Sequence, residues 1–453
     1  MRAARGKGPP AGAAASQEAK APPSFQPLAP ESSVGPAFAG QARKAGPPAG
    51  AAASPEAKAP PSLQPLALYI HWPFCETKCP YCDFNSHVRP GIDSEAWGEA
   101  LIADMAHEAR ASANATLQSI FFGGGTPSLM PPALVARLIA AARTHWPAAD
   151  DIEITLEANP SSVEAARFAD LAAAGVNRLS LGLQALDDAA LRLLGRPHTL
   201  AQGLAALESA QRHFGRVSFD LIHSRPGQRP PDWEAELARA LSFGTGHLSA
   251  YGLTIEPGTR FATLARRGQL DLPDPDSAAD MFEATAELCT RAGLPVYEVS
   301  NHARPGEESR HNLAYWTYAP YAGVGPGAHG RRGGRATARL RRPEAWRAQV
   351  AREGHGIETE LDVPPAEAAR EAMLMGLRLA QGVDPTIFEK RTGVPLADAV
   401  DPVARARLVE LGLLEPGPVL RTTVRGRGLL DRLLAELLSG RLEPATAIAT
   451  SGA

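Results

Sequence analysis

The sequence predicts an α/β protein, a partial (β/α)6 barrel followed by a small helical, winged-helix-like domain. Two observations lead to this fold class. From Leu66 onward, six short apolar runs typical of strands alternate with runs typical of amphipathic helices, a pattern that favours parallel strands joined by right-handed crossovers. After about residue 330 the alternation ends. We therefore predict a barrel core over 66–330, a linker over 331–361 and a C-terminal domain over 362–442.

The strands and helices of the predicted barrel follow one another in regular order. The strand candidates are Leu66–His71, Leu117–Phe122, Asp151–Glu157, Arg178–Leu183, Val217–Ile222 and His247–Leu253. The helix candidates between them are Ser94–Ala111, Ala133–Thr144, Ser162–Ala173, Leu200–His213 and Asp232–Phe243. In barrels of this kind the chemistry lies at the carboxyl ends of the strands, so we expect functional residues there.

The C-terminal region is predicted from shorter patterns. Arg331–Arg342 is basic and typical of a loop. Leu413–Val424 is expected to form a small β-wing among helices. The helix candidates are Pro365–Gln381, Val403–Leu411 and Gly428–Leu438. Winged-helix-like domains often bind DNA, but a structural module is at least as consistent with an enzyme-like chain.

The two termini are predicted to be disordered tails. Residues 1–65 are rich in Ala, Pro and Gly, and Gly8–Ala29 recurs almost unchanged as Gly46–Ala67. Such a composition offers few residues that can form a core. We expect residues 1–60 to be dispensable for folding, and residues 443–453 to form a second disordered tail.

Composition and charge argue against several classes of function. The net charge is −3, which gives no electrostatic reason to expect binding to nucleic acid or to an anionic membrane. No apolar run approaches the ~20 residues that cross a bilayer. The N-terminus lacks the apolar region of a secretory signal. We therefore expect a cytoplasmic protein with no stable membrane insertion.

Three of the four cysteines fall within eight residues, directly after the first predicted strand. Cys75, Cys79 and Cys82 have the spacing Cys-x3-Cys-x2-Cys. Three thiolates can bind three irons of a cubane cluster and leave the fourth iron open; a zinc site that lacks its fourth ligand is the alternative. Cys289 lies in an apolar-periodic run and is predicted to be a buried structural thiol.

Other candidate residues lie where predicted strands end. Gly123-Gly124-Gly125 follows the second strand, where backbone could approach a ligand closely, although a plain strand-to-helix turn would also explain the glycines. Glu157 ends the third strand and could bind ribose hydroxyls or be a solvated loop charge. Gln184 and Asp220 lie near the ends of the fourth and fifth strands, and Arg196 follows in a loop.

Taken in order, these motifs resemble the radical S-adenosylmethionine (SAM) superfamily, in the branch of oxygen-independent coproporphyrinogen III dehydrogenase (HemN) and its haem-chaperone relatives of the HemW type. The resemblance covers about 66–330 and is weaker through the C-terminal domain. The matching segments are Tyr69-Ile-His-Trp-Pro-Phe-Cys75, Phe122-Gly-Gly-Gly-Thr-Pro127, Thr155-Leu-Glu-Ala-Asn-Pro160, Leu179-Ser-Leu-Gly-Leu-Gln184, Leu194-Gly-Arg-Pro-His198, Ile255-Glu-Pro-Gly-Thr259 and Ser309-Arg-His-Asn-Leu-Ala-Tyr-Trp316.

The resemblance implies two cofactors and assigns residues to them. A [4Fe–4S] cluster would be held by Cys75, Cys79 and Cys82, with Tyr81 shielding it from water. SAM would bind the open iron. The residues implied to line its site are Tyr69, Gly124, Glu157, Gln184, Arg196 and Asp220, with Gly125 and Thr126 beside them.

One segment departs from the family pattern. After Asp220 the chain reads Leu-Ile-His223-Ser-Arg-Pro-Gly227, where relatives typically have Tyr-Gly-Leu before the Pro-Gly pair. His223 is either a new ligand or a harmless polar substitution. The departure leaves the local geometry of this strand end open.

Two features favour the chaperone branch. The dehydrogenase branch carries a fourth cysteine two residues after the third, and this chain has Phe84 there, within Cys82-Asp-Phe-Asn-Ser86. The chaperone branch also carries His-Asn-x-x-Tyr-Trp. We therefore expect a protein that binds haem and passes it to acceptor proteins. The alternatives are oxidative decarboxylation of coproporphyrinogen III to protoporphyrinogen IX and, with least support, DNA-binding regulation through the C-terminal domain.

The expected haem site is the segment His311-Asn312-Leu-Ala-Tyr315-Trp316. An imidazole can ligate iron and aromatic rings can stack on a porphyrin. His311 is predicted to take part either as an axial ligand or by shaping the pocket, whereas aromatic residues that merely close the open edge of the barrel are the alternative. His329 offers a second imidazole, and Arg331 or Arg332 could pair with propionates.

Overall fold

The computed structural model describes residues 63–440. The predicted tails therefore lie almost wholly outside the described residues. No helix among residues 63–440 is long and apolar enough to span a bilayer.

The named strands of the described chain lie between residues 64 and 362. They are β1 (Gln64–Trp72), β2 (Phe74–Cys75), β3 (His87–Val88), β4 (Ala115–Gly124), β5 (Ala148–Ala158), β6 (Arg178–Gln184), β7 (Arg216–His223), β8 (His247–Gly252), β9 (Val296–Glu298), β10 (Asn301–Ala303), β11 (Tyr321–Val324), β12 (His329–Arg332), β13 (Arg335–Arg339) and β14 (Ile357–Asp362).

The helices alternate with the strands as far as β8 and dominate the C-terminal region. They are α1 (Ser94–Ala111), α2 (Pro132–His145), α3 (Ser162–Ala165), α4 (Phe168–Ala173), α5 (Asp188–Leu193), α6 (Leu200–His213), α7 (Pro230–Leu241), α8 (Arg260–Arg266), α9 (Pro275–Arg291), α10 (Arg310–Trp316), α11 (Pro343–Glu353), α12 (Pro365–Gly376), α13 (Pro385–Thr392), α14 (Leu396–Ala399), α15 (Pro402–Glu410), α16 (Val424–Arg427) and α17 (Leu430–Leu437). A short 3-10 turn covers Pro127–Leu129.

The main sheet has twelve strands in the order β14-β13-β12-β11-β1-β4-β5-β6-β7-β8-β10-β9. Its centre, from β1 to β8, consists of the six predicted strands, all parallel. β11 adds a seventh parallel strand beside β1, and the outer strands are antiparallel. The partial (β/α)6 barrel is thus confirmed, and antiparallel strands extend it at both edges.

The first strand shows why these residues form a barrel wall. Leu66, Leu68, Ile70 and Trp72 are at most 2% exposed and belong to the main hydrophobic core. Because side chains alternate along a strand, Tyr69 and its neighbours on the opposite face point away from that core, into the barrel. Burial on both faces is typical of parallel strands.

The structure corrects two predicted elements. The helix expected over Ser162–Ala173 is interrupted into α3 and α4. The loop expected over Arg331–Arg342 is wrong, because β12 and β13 form a hairpin there, and the predicted linker over 331–361 also contains α11 and β14. These residues extend the sheet.

Buried ion pairs explain why a basic segment forms strands. Arg332 and Arg339 point toward α1, where Arg339 pairs with Asp104 at 2.7 Å and with Glu108 at 2.9 Å. Arg332 pairs with Glu108 at 2.5 Å. Arg339, Asp104 and Glu108 are essentially inaccessible to solvent. Charges typical of a loop in the sequence are therefore neutralised within the fold.

The C-terminal domain has its own apolar core and is mainly helical. Met373, Leu377, Phe388, Leu434 and Leu437 belong to that core. The expected β-wing is reduced to an isolated bridge between Leu414 and Thr422. The three predicted helices are present as α12, α15 and α17. Cys289 is fully buried on α9, as predicted.

Candidate cofactor site at the mouth of the barrel

The three clustered cysteines lie on one loop at the carboxyl end of β1. Cys75 is part of β2, which pairs with β3 and so holds the two ends of the loop together. The Cys82 N–H donates to the Cys79 carbonyl at 3.2 Å. All three thiols are free and partly exposed. The loop therefore presents three sulfur ligands at the mouth of the barrel.

The thiols are close enough to influence one another. Burial raises the pKa of Cys75 to about 11, and repulsion from Cys82 and Cys79 adds to the rise. Burial also raises the pKa of Cys82. Bound iron would favour the thiolate forms that this environment otherwise disfavours.

The three thiols can be compared with the ligand sets of a cubane and of a single metal ion. Within residues 63–440 no group of three or more His, Cys, Asp or Glu side chains lies close enough together to hold one ion. In a cubane each thiolate binds a different iron, so the sulfurs stand further apart than around one zinc. The donor set, three thiolates on one short loop, thus fits the three protein ligands of a cubane.

A chain of hydrogen bonds connects two of the cysteines. The Thr126 hydroxyl donates to Cys75 Sγ at 3.4 Å and accepts from Asn159 Nδ2 at 2.9 Å. Arg196 donates from Nη2 to Asn159 Oδ1 and from Nη1 to Cys79 Sγ at 3.5 Å. Asn159 therefore joins the two residues that contact sulfur.

The glycines at the end of β4 allow the strand to meet the cysteine loop. Gly124 has φ +112°, and a Cβ there would lie 2.5 Å from the His71 ring. A Cβ at Gly125 would lie 2.7 Å from the Phe74 carbonyl. The Gly125 N–H donates to Trp72 C=O at 2.7 Å. These glycines are thus required by the close packing of the strand end against the cysteine loop, and not only by a turn.

Two carboxylates face the barrel interior, Glu157 at the end of β5 and Asp220 within β7. Burial, with repulsion from Asp220, raises the pKa of Glu157 to about 8. Its Oε2 accepts from the Gly124 N–H at 3.2 Å. Burial raises the pKa of Asp220 to about 6, although hydroxyls of Ser249 and Ser180 and the charge of Arg196 oppose the rise. Burial thus raises the pKa of both carboxyls above their usual range, that of Glu157 further than that of Asp220.

Gln184 ends β6 in a backbone conformation that is rare for a residue with a side chain. Its φ is +70°. Such conformations cost energy and are concentrated at functional sites. A Cβ on Gly182 would lie 3.0 Å from the Gln184 amide nitrogen and 3.2 Å from Arg196 Nη2. Gln184 and Arg196 therefore lie on the same side of this strand end.

Tyr69 and Tyr81 occupy different positions around the mouth. Tyr69 lies below the glycine loop and stacks on Phe121 with ring centroids 6.2 Å apart. The Asn85 carbonyl can only accept, so His71 Nε2 carries the proton and donates to it. Nδ1 of the neutral ring is then an acceptor, and the Tyr69 hydroxyl donates to it at 2.9 Å. Tyr81 is buried against Phe261 and borders Cys79 and Cys82. Its position agrees with the expected shielding role.

His311 lies deep inside the barrel. It is 1% exposed; Nδ1 bonds to the Ser119 hydroxyl at 2.9 Å, and Nε2 bonds to the Tyr315 hydroxyl at 3.0 Å. Burial lowers its pKa to about 3. The His311 N–H donates to Glu153 Oε1 at 3.1 Å, and the ring stacks on Phe121 with centroids 4.9 Å apart and lies 6.3 Å from the Tyr69 ring, so it lies in the barrel interior beside Tyr69.

The two ends of the His311–Trp316 segment face different surroundings. Tyr315 points into the barrel and meets Tyr321 edge-to-face at 4.5 Å. Asn312 Nδ2 lies 3.5 Å from the Tyr297 hydroxyl. Trp316, in contrast, borders the C-terminal domain, where Arg378 lies over its ring at 4.4 Å. The structure does not bring the four residues to one cavity.

Other residues singled out from the sequence are engaged within the protein. His223 is buried, with Nδ1 bonded to the Ser224 hydroxyl at 2.9 Å, and burial lowers its pKa to about 3. Arg331 pairs with Glu371 at 2.6 Å, and Arg332 pairs with Glu108. Neither guanidinium is therefore free to meet a propionate. His329 is half-buried near His71.

Sequence reasoning missed the residues that hold the site residues in place. Asn159 lay within a matched segment without an assigned role, and Ser180 and Ser249 support Asp220. Their positions were detectable, because Ser180 and Ser249 lie on predicted strands and Asn159 directly follows β5. Their hydrogen-bond partners were not predictable, because they come from distant segments of the chain.

A cavity of about 820 Å³ opens at the mouth beside the cysteine loop. Cys79 and Cys82 line it together with apolar residues from α5 and α8. Its basic lining residues are Lys78, Arg192, Arg260 and Arg341. The site thus combines sulfur ligands, buried carboxyls and a cationic entrance, which suits a cluster with an adjacent anionic organic molecule.

Family models match two parts of the chain. Residues 69–240 match the model described as "Radical SAM superfamily". Residues 363–428 match the model described as "HemN C-terminal domain". The two matches correspond to the barrel and to the mainly helical C-terminal domain.

Relatives match most of the chain. A bovine protein named "Radical S-adenosyl methionine domain-containing protein 1, mitochondrial" is 41% identical over 84% of this chain and 88% of its own length. "Heme chaperone HemW" of Escherichia coli is 36% identical over 82% of this chain and 98% of its own. The solved structure of E. coli HemN, described as a radical SAM enzyme, matches with a TM-score of 0.71 at 24% identity, over 83% of this chain and 90% of that one.

Proposed function

Because the chain belongs to the radical SAM superfamily, in the branch of the HemW proteins, we propose that it is a haem chaperone that binds haem and a [4Fe–4S] cluster and passes haem to acceptor proteins. The observation that carries the proposal is the similarity to HemW over most of both chains, together with Phe84 at the position that distinguishes the branches. Phe84 is 42% exposed on the cysteine loop, and its carbonyl accepts from Lys78 Nζ at 3.3 Å.

Cys75, Cys79 and Cys82 would hold the cluster, and SAM would bind beside it. The cluster supplies the electron that cleaves the SAM sulfonium in radical SAM proteins. Tyr69, Gly124, Gly125, Thr126, Gln184 and Arg196 would line the SAM site. Glu157, with its raised pKa, is largely protonated at neutral pH and can both donate and accept hydrogen bonds with ribose hydroxyls. Asp220, at a lower pKa, keeps a partner charge for Arg196.

We propose that His311 acts by shaping the barrel interior and not as an axial haem ligand. Both ring nitrogens are already bonded, and the ring lies in the barrel interior beside Tyr69. Asn312 and Tyr315 support the same interior. Ligation by His311 would require breaking its bonds to Ser119 and Tyr315 and opening a buried site, which costs free energy for each unsatisfied group.

The proposed partners are haem and haem-acceptor proteins, without nucleic acid. The proposed compartment is the cytoplasm, which suits a chain whose four cysteines are free. The bovine relative is named mitochondrial, and the mitochondrial matrix is also reducing. Fractionation of the native host cells tests the compartment.

The decisive experiment is an anaerobic haem titration of the reconstituted protein followed by its Soret band. Wild type should bind haem with a defined stoichiometry. His311→Gln, which retains a hydrogen-bonding side chain, should keep the Soret position, because His311 is not the ligand. His329→Gln, titrated in the same way, tests whether the second imidazole, that of His329, is the haem ligand.

The dehydrogenase alternative is tested on the same preparation. Reduced protein with SAM and coproporphyrinogen III should give no protoporphyrinogen IX. Product formation without haem binding would replace the chaperone proposal by the alternative. The proposal that the protein passes haem to acceptor proteins is tested by mixing the haem-loaded protein with an apo-acceptor. The change in the Soret band monitors the transfer.

A further inference from the structure

A second cavity lies far from the cysteine loop, between the end of α10 and the C-terminal domain. We call it the Trp316 groove. Its volume is about 290 Å³. The lining residues come from the end of α10, from α12 and α13 and from the segments beside them, and include Trp316, Tyr318, Gly376, Val383, Ile387 and Arg391.

The groove is built by close packing of its two walls. A Cβ on Gly376 would lie 2.7 Å from Val383 Cγ2, so glycine is required for α12 to approach this wall. Val383 and Leu420 exchange backbone hydrogen bonds at 2.8 and 3.1 Å. Tyr318 has φ +56°, a strained conformation for a bulky residue. The walls are therefore fixed parts of the fold.

Two N–H donors of the lining are buried and, within residues 63–440, have no acceptor. They are Trp316 Nε1 and Arg391 Nη1. Trp316 is only 5% exposed. A buried donor without an acceptor destabilises the fold, so a bound group that brings acceptors would relieve this cost.

The charge of Arg391 is also uncompensated. Burial alone lowers its pKa, and no carboxylate in the described part of the chain raises it. Asp384, on the rim, accepts the N–H groups of Thr386 and Ile387 at the start of α13, each at 2.9 Å. The carboxylate of Glu371, near Tyr318, pairs with Arg331. Within residues 63–440 neither carboxylate accepts from Arg391 Nη1, so this N–H can donate to an external carboxylate.

Size and lining define the occupant. The remaining lining is mostly apolar, and Ile387 on the rim is 47% exposed. A volume of about 290 Å³ is below the ~300–1,000 Å³ of pockets for drug-sized ligands, so the groove suits one or two side chains and not a porphyrin. Trp, Tyr and Arg are the residues that most often anchor protein interfaces.

We propose that the Trp316 groove is a docking site for a partner protein, and that it binds a peptide segment carrying a carboxylate next to an aliphatic side chain. The carboxylate accepts from Arg391 and Trp316, and the aliphatic group packs between Val383 and Ile387. This site is separate from the barrel mouth, and its test does not depend on haem binding.

The probe is the peptide acetyl-Ala-Ala-Leu-Asp-amide, compared with its Asn counterpart, which has the same size but no charge. Binding to the full chain is followed by saturation-transfer NMR titration. Wild type should bind the Asp peptide at least about 10-fold more tightly, which corresponds to ~1.4 kcal/mol. Arg391→Gln should abolish this preference, and Trp316→Phe, which removes only the N–H, should reduce it.

Arg425→Gln is the matched control, because Arg425 is an exposed arginine of the same domain. It should keep the full preference. Equal binding of both peptides to wild type would overturn the proposal, as would a preference that survives in Arg391→Gln. The docking proposal would also be overturned if wild type showed no peptide preference and Arg391→Gln bound haem more weakly. That result would assign the Arg391 guanidinium to a haem propionate.

Discussion

The mouth of the barrel and the Trp316 groove differ in how their polar groups are satisfied. At the mouth, Thr126, Asn159 and Arg196 bond to one another and to the cysteine sulfurs. In the groove, Trp316 and Arg391 have buried donors without acceptors among the described residues. The mouth is therefore connected by its own hydrogen bonds, although Arg196 Nε has no acceptor among residues 63–440, whereas we propose that the donors of the groove are satisfied by a bound partner.

The largest expected effect is at the mouth, where removal of one sulfur ligand should prevent assembly of the cluster. Cys75→Ala should lose nearly all iron after anaerobic reconstitution, because a cubane with only two protein thiolates is poorly held. Iron and sulfide analysis with the visible absorption spectrum measures this. Cys289→Ser is the control, since Cys289 is buried on α9, and it should retain wild-type iron. Full iron in Cys75→Ala would remove Cys75 from the ligand set.

The raised pKa of Glu157 predicts a pH-dependent stability of the cluster-free protein. The folded-state pKa is about 8, against 4.5 in the unfolded chain. The folded state therefore binds the proton more tightly, and the contribution of this group to stability is lost as the pH rises from 4.5 to 8. Glu157→Gln cannot ionise and should escape this loss.

Urea unfolding at pH 5.5, 7 and 8.5 measures the difference between wild type and Glu157→Gln. Between the lowest and the highest pH, we expect the free energy of unfolding of Glu157→Gln to rise by a few kcal/mol relative to that of wild type. The upper bound is ~1.4 kcal/mol per unit of pKa shift. A difference that stays constant with pH would show that Glu157 ionises normally. The same variant should bind SAM more weakly if the carboxyl contacts the ribose.

A smaller effect is expected when the bridge between the two sulfur-contacting residues is cut. Asn159→Ala leaves the Thr126 hydroxyl and the Arg196 guanidinium without their shared partner, a loss of about 1–2 kcal/mol. The cluster should still assemble but release iron to a chelator several-fold faster and show a shifted reduction potential, because hydrogen bonds to the sulfurs set that potential. Asn177→Ala, on a loop away from the sulfurs, should leave the potential unchanged.

The same contrast explains how much could be predicted from the sequence. The six parallel strands and the cysteine loop were predictable, because apolar alternation and short motif spacing are local properties. The strands of 331–361 were not, because their arginines are neutralised by Asp104 and Glu108, more than 200 residues away in the chain. His311 was singled out from its motif, but its position in the barrel depends on Ser119 and Glu153 of other strands and could not be predicted locally.

The smallest expected effect is in the groove, where the sign of the change in stability separates an unpaired arginine from a paired one. Arg331 is paired with Glu371, so Arg331→Met should destabilise the protein by several kcal/mol by leaving a half-buried carboxylate unpaired. Arg391 has no such partner, so Arg391→Met removes an uncompensated charge and replaces it with apolar volume. We expect the free energy of unfolding of Arg391→Met to stay within about 0.5 kcal/mol of wild type or to rise by about 1 kcal/mol. Urea unfolding of both variants at neutral pH, without peptide, is the measurement. A large destabilisation by Arg391→Met would mean that its guanidinium is already satisfied within the fold, and the groove would then resemble the mouth.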